Sequence, residues 1–181
     1  KLARLPMKNY RAPLQDLQFV LFDVLGADRQ WAETPALSAQ LDRPTASAML
    51  EEAAKLAQEQ IAPLNRSGDE EGARWDNGQV STPAGFKGAY DQFCAGGWTA
   101  LTGNPGYGGL GMPKSLAVLI DEILFAANSS FALYPALSAG ACMAIDAHAT
   151  PALKERFLPS MYAGTWAGSM CLTEPHSGSD L

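Results

Sequence analysis

Apolar residues recur at the spacing of an α-helix in segment after segment of this chain, and proline or glycine separates each segment from the next. The clearest segment is 114–127. Five of its apolar side chains share one face: Leu116, Leu119, Ile120, Ile123 and Leu124. A series of such segments predicts an all-α body in which each helix buries its apolar face.

Capping residues predict where several of these helices begin and end. Asp42 is placed to cap a helix that has Pro44 in its first turn and ends at Pro63. Residues 82–97 predict a second helix that stops at a double glycine. Residues 151–163 predict another, with Thr150 as its cap.

Three other stretches complete the helical part of the prediction. Residues 14–27 predict one short amphipathic helix, with Leu14, Leu17, Leu21, Val24 and Leu25 on one face and Phe19, Val20 and Phe22 on its sides. Residues 135–148 are almost wholly small and apolar, which predicts a central helix packed all round. The polar tract 66–80 predicts a loop, with a short strand pair across Asn77-Gly78.

The pattern changes after Gly164. The stretch TWAGSMCL, residues 165–172, mixes β-forming and small residues and predicts a buried strand. We therefore expect three regions: an N-terminal extension helix in residues 1–35, an α-helical domain in residues 36–165, and the start of a β domain in residues 166–181.

Composition excludes several functions. The chain has 13 basic and 19 acidic residues, a net charge of −6, and no basic stripe that could bind nucleic acid. Its cysteines, Cys94, Cys142 and Cys171, form no CxxC pair, so we expect no metal site, no disulfide framework and a cytoplasmic location. Proline at position 135 interrupts the longest apolar stretch, which is shorter than the ~20 residues of a membrane span.

Two apparent motifs lack the surrounding structure that their functions require. GYGGLG, residues 106–111, matches a dinucleotide-binding fingerprint, but no strand precedes it and Pro113 follows it, so we interpret it as a glycine loop between helices. His176, Ser177, Ser179 and Asp180 resemble a hydrolase triad, yet neighbouring side chains diverge and cannot form a relay.

Isolated titratable residues on the helices carry no catalytic prediction either. His148 is expected to be a satisfied histidine near a helix end. Asp121, Glu122 and Asp146 are expected to lie on a solvated face or to make capping contacts.

The polar stretch MCLTEPHSGSD at the end of the chain can be interpreted in two ways. Thr173 has a hydroxyl that both donates and accepts, which suits the pyrimidine edge of a flavin. Gly178 and Ser179 suit a pyrophosphate, because glycine lets backbone N–H groups approach an anion and serine adds a donor. The alternative is a polar turn whose serine and aspartate side chains cap their own backbone.

CLTEPHSGSD resembles the C-x-T-E-P-x-x-G-S-D signature of the acyl-CoA dehydrogenase family at every fixed position. The lead-in ERFLPSMYAGTWAGSM and the turn NPGYGGLGMP are similar to segments of that family. The early stretch YRAPLQDLQFVLFDVLG resembles an N-terminal segment of a longer subgroup, which includes methylmercaptopropionyl-CoA-type dehydrogenases. The resemblance extends over residues 10–181.

This resemblance implies the N-terminal helical domain of the family fold, ending in the first strand of the middle β domain. It also implies oxidation of an acyl-CoA to the trans-2-enoyl-CoA, in which a carboxylate takes the α-proton and FAD accepts the β-hydride. Leu172, through its backbone, and Thr173 would hold the flavin ring, and Gly178 and Ser179 would meet the FAD phosphates. Ser179 would also lie beside the CoA thioester arm, and residues 114–148 would help to wall the acyl pocket.

The family's glutamate base lies in a C-terminal helical domain, so we expect these 181 residues alone to be inactive. The expected partners are an acyl-CoA substrate, electron-transfer flavoprotein as electron acceptor, and further copies of the protein in a homo-oligomer. Two alternatives stay open: an acyl-CoA oxidase relative, and a non-catalytic helical adaptor with the same fold.

Overall fold

The computed structural model describes residues 10–178 of the chain, and within them helices dominate. The α-helices are α1 Leu14–Gln18, α2 Ala27–Ala32, α3 Pro35–Ser38, α4 Arg43–Leu56, α5 Leu64–Glu71, α6 Phe86–Ala95, α7 Lys114–Ala127, α8 Ser129–His148 and α9 Pro151–Tyr162. One antiparallel hairpin pairs β1 Arg74–Asp76 with β2 Gln79–Ser81. The predicted all-α class is confirmed.

The described chain divides into two compact units. The first contains residues 10–93 and 112–132, and the second contains residues 94–111 and 133–178. Helix α8 contributes its first turn to the first unit and its remaining length to the second.

The core of the first unit lies where α4 packs against α7. The apolar face predicted for residues 114–127 is the buried face of α7, with Leu116 and Ile123 almost fully enclosed. Small residues on α4, Ala46, Ala53 and Ala54, are buried as well. These short side chains allow the helix backbones to approach closely, which is why an alanine-rich helix forms a core here.

Asp42 caps α4 as predicted. Its Oδ1 accepts a hydrogen bond from the Thr45 backbone N–H at 2.8 Å. The Thr45 side chain first, and this backbone bond second, favour the charged carboxylate and lower the pKa of Asp42.

The prediction of a single continuous helix over residues 14–27 is wrong, because a different set of side chains faces inward than predicted. α1 ends at Gln18, and a π-helical turn, Phe19–Val24, follows it. A π turn bonds residue i to i+5 and so rotates every later side chain. Leu17 and Leu21 are buried as expected, but Phe22 takes the third inward position, and Val24 and Leu25 are exposed.

Tertiary contacts account for this register. The Phe22 ring meets the Trp31 ring edge to face, with centroids 6.2 Å apart. The Arg43 guanidinium lies over the Phe22 ring, 4.7 Å from its centroid. These contacts stabilise the inward orientation of the Phe22 side chain, and thereby the π turn that produces it.

The predicted loop at residues 66–71 is also corrected, because α5 continues to Glu71. Pro63 is the N-cap residue of this new helix, which begins at Leu64. An ion pair at i,i+4 spacing, Arg66 Nε to Glu70 Oε1 at 2.9 Å, supports the exposed face of the helix. The strand pair across Asn77-Gly78 is confirmed, and both residues have the positive φ of a type I′ turn.

Helix α8 begins at Ser129, six residues before the predicted start. Buried Asn128 explains the earlier start, since its Oδ1 accepts a hydrogen bond from the Phe131 backbone N–H at 3.1 Å. Its Nδ2 donates to the carbonyl of Ile61 at 3.4 Å, at the end of the π turn Ala57–Ile61 that follows α4. One buried amide side chain thus satisfies two helix ends.

The prediction that this helix is packed all round is wrong for the described chain. Leu133, Tyr134 and Met143 are each about half exposed, because no element within residues 10–178 covers that face. By length and composition α8 could cross a membrane, the one described helix for which this holds. The core helix of a soluble protein can have the same length and composition, so this observation is weak evidence for a membrane span.

The second unit surrounds a small apolar cluster where α9 meets α8. Its buried members are Ala100, Cys142, Leu158, Met161 and Tyr162. Burial raises the pKa of the Cys142 thiol, which keeps it protonated as a packing residue.

GYGGLG is a closed loop of this second unit. The backbone N–H of Gly111 donates to the carbonyl of Gly103, and that of Leu110 donates to the carbonyl of Ala100, both at 2.9 Å. A short 3₁₀ turn, Pro105–Tyr107, overlaps the start of the loop, and no described strand leads directly into it. Its interpretation as a glycine loop between helices is confirmed.

We predict that Asn128→Ala lowers the free energy of unfolding by about 1–3 kcal/mol, because the cap is lost and the Ile61 carbonyl is left buried without a partner. Urea unfolding of the 181-residue chain, followed by tryptophan fluorescence, measures this change. Ser129→Ala is the control, since the Ser129 side chain is exposed and bonds only the Phe125 carbonyl. Equal stability of the two variants would contradict the assigned role of Asn128.

Candidate functional site

The candidate site is the stretch that follows α9, and a glycine turn directs the chain into it. Gly164 has φ of 73°, in the left-handed region, and a side chain at this position would meet Cys94. The backbone N–H of Trp166 donates to the Ser160 carbonyl at 3.1 Å, and the Thr165 hydroxyl donates to the same carbonyl at 2.9 Å. These hydrogen bonds satisfy the Ser160 carbonyl in the last turn of α9, and the chain leaves the helix after them.

Two contacts then fix the chain to the helices of the second unit. The Trp166 ring packs on Phe157 of α9, with ring centroids 5.8 Å apart. Two residues later the Gly168 backbone N–H donates to Ser138 Oγ of α8 at 3.0 Å. A Cβ built on Gly168 would lie 2.6 Å from the Ala141 Cβ, so glycine is required for this approach.

Beyond Gly168 the chain lies open to solvent. We call residues 169–178 the edge segment. Met170 is 63% exposed and Leu172 is 46% exposed. The backbone of residues 170–173 makes no hydrogen bond to any other described residue. Residues 170–173 therefore present backbone donors and acceptors that no residue within 10–178 pairs, beside the hydroxyl of Thr173.

The buried strand predicted for residues 165–172 is not formed in the described chain. The segment has no regular secondary structure and is mostly exposed, and the only described strands, β1 and β2, pair with each other in the first unit. A strand is defined by a neighbour that receives its hydrogen bonds, and residues 10–178 provide none here. The domain division at residues 35 and 165 remains a prediction.

The edge segment ends in a tight turn. The backbone N–H of Glu174 donates to the Ser177 carbonyl at 2.8 Å, and the backbone N–H of Ser177 donates to the Glu174 carbonyl at 3.1 Å. Pro175 occupies the second position, where its fixed φ suits a turn. Main-chain bonds close this turn, whereas the alternative interpretation from the sequence relied on side-chain caps.

Gly178 follows the turn and faces open space. A Cβ at this position would have no heavy atom within 4 Å, so packing within the described chain does not demand glycine here. Ser179 lies outside the described residues, as does Asp180, and the role predicted for Ser179 stays a prediction. The structure thus brings Leu172, Thr173 and Gly178 onto one exposed segment.

A polar network in the second unit was missed by the sequence analysis. Asn104 Nδ2 donates to Asp146 Oδ1 at 3.0 Å, and the Asn104 backbone N–H donates to the Tyr162 hydroxyl at 3.1 Å. Lys154 lies 3.7 Å from Asp146 Oδ1 and donates to the Asp146 carbonyl. Asp146 therefore joins the glycine loop to α8 and α9, a role that no local pattern around residue 146 could indicate.

Metal ligation has no candidate in this part of the chain. Within residues 10–178, no group of three histidine, cysteine, aspartate or glutamate side chains could hold a metal ion. The edge segment offers backbone amides and the hydroxyls of Ser169, Thr173 and Ser177, which suit a polar organic ligand.

Burial raises the pKa of the Tyr162 phenol above its usual value of about 10, although the Asn104 N–H opposes this shift. The pKa of Tyr162 is higher in the folded chain than in the unfolded chain. The stabilisation that comes from burying the neutral phenol is therefore complete below pH ~10 and is lost as the pH rises through the raised pKa. We predict that Tyr162→Phe removes this loss, so that the free energy of unfolding declines less steeply above pH ~10.

At neutral pH the same substitution leaves the Asn104 N–H without its acceptor. We expect Tyr162→Phe to lower the free energy of unfolding there by about 1–3 kcal/mol. Urea unfolding of the 181-residue chain at neutral and alkaline pH measures both effects. Parallel stability curves for the variant and the unmodified chain would contradict the assigned contact.

Comparison with known proteins extends these observations. A model of the family described as "Acyl-CoA dehydrogenase, N-terminal domain" matches residues 43–165. A 3-methylmercaptopropionyl-CoA dehydrogenase of Ruegeria pomeroyi is 40% identical over 175 residues, which are 96% of this chain and 29% of that protein. A butyryl-CoA dehydrogenase of Syntrophomonas wolfei is 32% identical over 177 residues, 96% of this chain and 29% of that protein.

A more distant relative agrees with these two. The broad-specificity linear acyl-CoA dehydrogenase FadE5 of Mycobacterium tuberculosis is 30% identical over 177 residues, 97% of this chain and 28% of that protein. The chain thus spans less than a third of the length of the curated relatives it matches. Because the N-terminal domain model covers well over half of this all-α chain, the chain belongs to the acyl-CoA dehydrogenase family.

Proposed function

We propose that this chain is the N-terminal part of an FAD-dependent dehydrogenase that oxidises an acyl-CoA thioester to the trans-2-enoyl-CoA. The observation that carries the proposal is a juxtaposition in the sequence. The family's N-terminal domain model matches up to residue 165, and the signature CLTEPHSGSD follows at once. The relatives named as acyl-CoA dehydrogenases extend over both parts.

The exposed groups of the edge segment fit a flavin. Its pyrimidine edge alternates donors and acceptors, and the unpaired backbone at Leu172 with the Thr173 hydroxyl offers both. Bound FAD supplies the redox chemistry by accepting a hydride from the substrate's β-carbon. The protein's part is to hold and orient the ring and to exclude competing ligands from its edge.

The turn after Thr173 fits the phosphate end of the same cofactor. Because Gly178 has no side chain and no described residue crowds its Cβ position, backbone N–H groups there can approach a pyrophosphate closely. We assign Ser179 to the same phosphates and to the CoA thioester arm on the basis of the family signature. No residue of this chain is assigned as the catalytic base, which by resemblance is a glutamate of a C-terminal helical domain.

The remaining parts of the proposal rest on the family resemblance and the composition. They are electron-transfer flavoprotein as the electron acceptor, a homo-oligomeric protein and a cytoplasmic location. Within the described residues, Cys94, Cys142 and Cys171 form no disulfide with one another, which suits a reducing compartment. The 181 residues alone are expected to be inactive.

The test uses the gene product at the full length that its gene encodes. We predict that it contains one FAD per chain, and that anaerobic addition of an acyl-CoA bleaches the flavin's visible absorption and produces an enoyl-CoA. A series of straight and branched acyl-CoA esters then defines the preferred chain. Absence of bleaching with every ester in the series would contradict the proposal.

Two further outcomes identify the alternatives. Rapid reoxidation of the bleached flavin by air, with hydrogen peroxide formed, would identify an acyl-CoA oxidase. A gene product that binds neither FAD nor acyl-CoA would be a helical adaptor with the family's fold. Slow reoxidation by air and fast reoxidation by electron-transfer flavoprotein is the outcome expected of a dehydrogenase.

A further inference from the structure

The edge segment leaves the helices at one hydrogen-bonded contact. Ser138 lies on α8 and is buried, with 6% of its surface exposed. Its Oγ accepts the Gly168 backbone N–H at 3.0 Å, immediately before the edge segment begins at residue 169. From residue 169 to residue 173 the chain has no other hydrogen bond to a described residue.

Steric contacts surround this hydrogen bond. A Cβ on Gly168 would lie 2.6 Å from the Ala141 Cβ, 3.2 Å from the Ser138 Cα and 3.4 Å from the Leu137 carbonyl oxygen. The backbone of Gly168 does not have a positive φ. Glycine is therefore needed here because there is no space for a side chain, and not because of the backbone conformation. The chain therefore lies directly on the backbone of α8 at this point.

The Ser138 hydroxyl has two hydrogen-bond partners at a buried position. The Ser138 hydroxyl lies 3.5 Å from the Tyr134 carbonyl, one turn earlier on the helix, so its own hydrogen has an acceptor while its oxygen accepts from Gly168. Removing the hydroxyl would leave the Gly168 N–H without its acceptor beside a buried position. A serine in an otherwise apolar stretch of α8 thus has a specific partner.

We propose that Ser138 is a positioning residue for the flavin, which it reaches through Gly168. By fixing Gly168 on α8 it sets where the edge segment starts, and so where Leu172 and Thr173 stand relative to the flavin edge. This inference rests on the proposed function. It adds a residue 35 positions before Thr173 that is not part of the terminal signature.

The first test compares serines on the same helix. Ser138→Ala in the full-length gene product removes the acceptor, and we expect FAD binding about three- to tenfold weaker, the net effect of one lost hydrogen bond. Ser129→Ala is the matched control: its hydroxyl also bonds the carbonyl four residues earlier, but the Ser129 side chain is exposed and has no contact with Gly168. We expect FAD binding by this control to be unchanged.

Further measurements separate positioning from a general effect on stability. Hydrogen exchange of the Gly168 amide in the flavin-free protein should accelerate in Ser138→Ala and not in Ser129→Ala. Ser138→Thr keeps the hydroxyl, and we expect it to recover most of the FAD affinity. A role in stability alone would lower the unfolding temperature of Ser138→Ala and leave its FAD dissociation constant unchanged.

Gly168→Ala tests the same contact from the other side. We expect it to weaken FAD binding more than Ser138→Ala does, because the new methyl group displaces the whole edge segment. Ala141→Gly in the same protein removes the nearest obstructing atom and should restore part of the affinity, with Ala141→Gly alone as the control for the effect of glycine in a helix.

The outcomes distinguish this inference from the function on which it rests. A wild-type gene product that binds no FAD overturns both. A wild-type protein that binds FAD, with Ser138→Ala binding it equally well, overturns only the role of Ser138. Weaker binding in Ser138→Ala, recovered in Ser138→Thr and absent in Ser129→Ala, is the result we predict.

Discussion

The contact of Gly168 with the backbone of α8 is the constraint on which the rest of the candidate site depends. A segment without hydrogen bonds to its surroundings has no intrinsic position, and residues 170–173 make none to any other residue within 10–178. Their placement relative to the helices comes from the two contacts just before them, the Gly168 amide on Ser138 and the Trp166 ring on Phe157. A well-packed helix pair thereby gives fixed geometry to an exposed stretch of chain.

The same helix fixes a second irregular segment of this unit. Near its C-terminal end, Asp146 accepts a hydrogen bond from Asn104 in the glycine loop and is held in turn by Lys154 of α9. Both irregular segments are therefore anchored by polar groups on an apolar helix. Ser138 is buried and Asp146 is partly buried, and a polar group removed from water is costly unless it is paired. Each of these side chains therefore favours one arrangement of the chain.

Much of the helical body could be predicted from the sequence because its signals are local. The buried face of α7, the Asp42 cap and the turn at Asn77-Gly78 each depend on residues within a few positions of one another. The π turn at Phe19–Val24 could not be predicted, since its register is decided by Trp31 and Arg43, which pack on Phe22 from other helices. The same limit applies to the site. Thr173 and Gly178 stand in a recognisable signature, whereas Ser138 and Asp146 acquire their roles from partners that are distant in the sequence.

The central claim is that the edge segment lies against a bound flavin, and hydrogen–deuterium exchange of the full-length gene product tests it most directly. Exchange would be compared with and without FAD, with Arg74–Asp76 and Gln79–Ser81 of the hairpin in the first unit as an internal reference. We predict that FAD slows amide exchange over residues 170–178 and leaves the hairpin unchanged. Unaltered exchange of residues 170–178 in a protein saturated with FAD would contradict the claim.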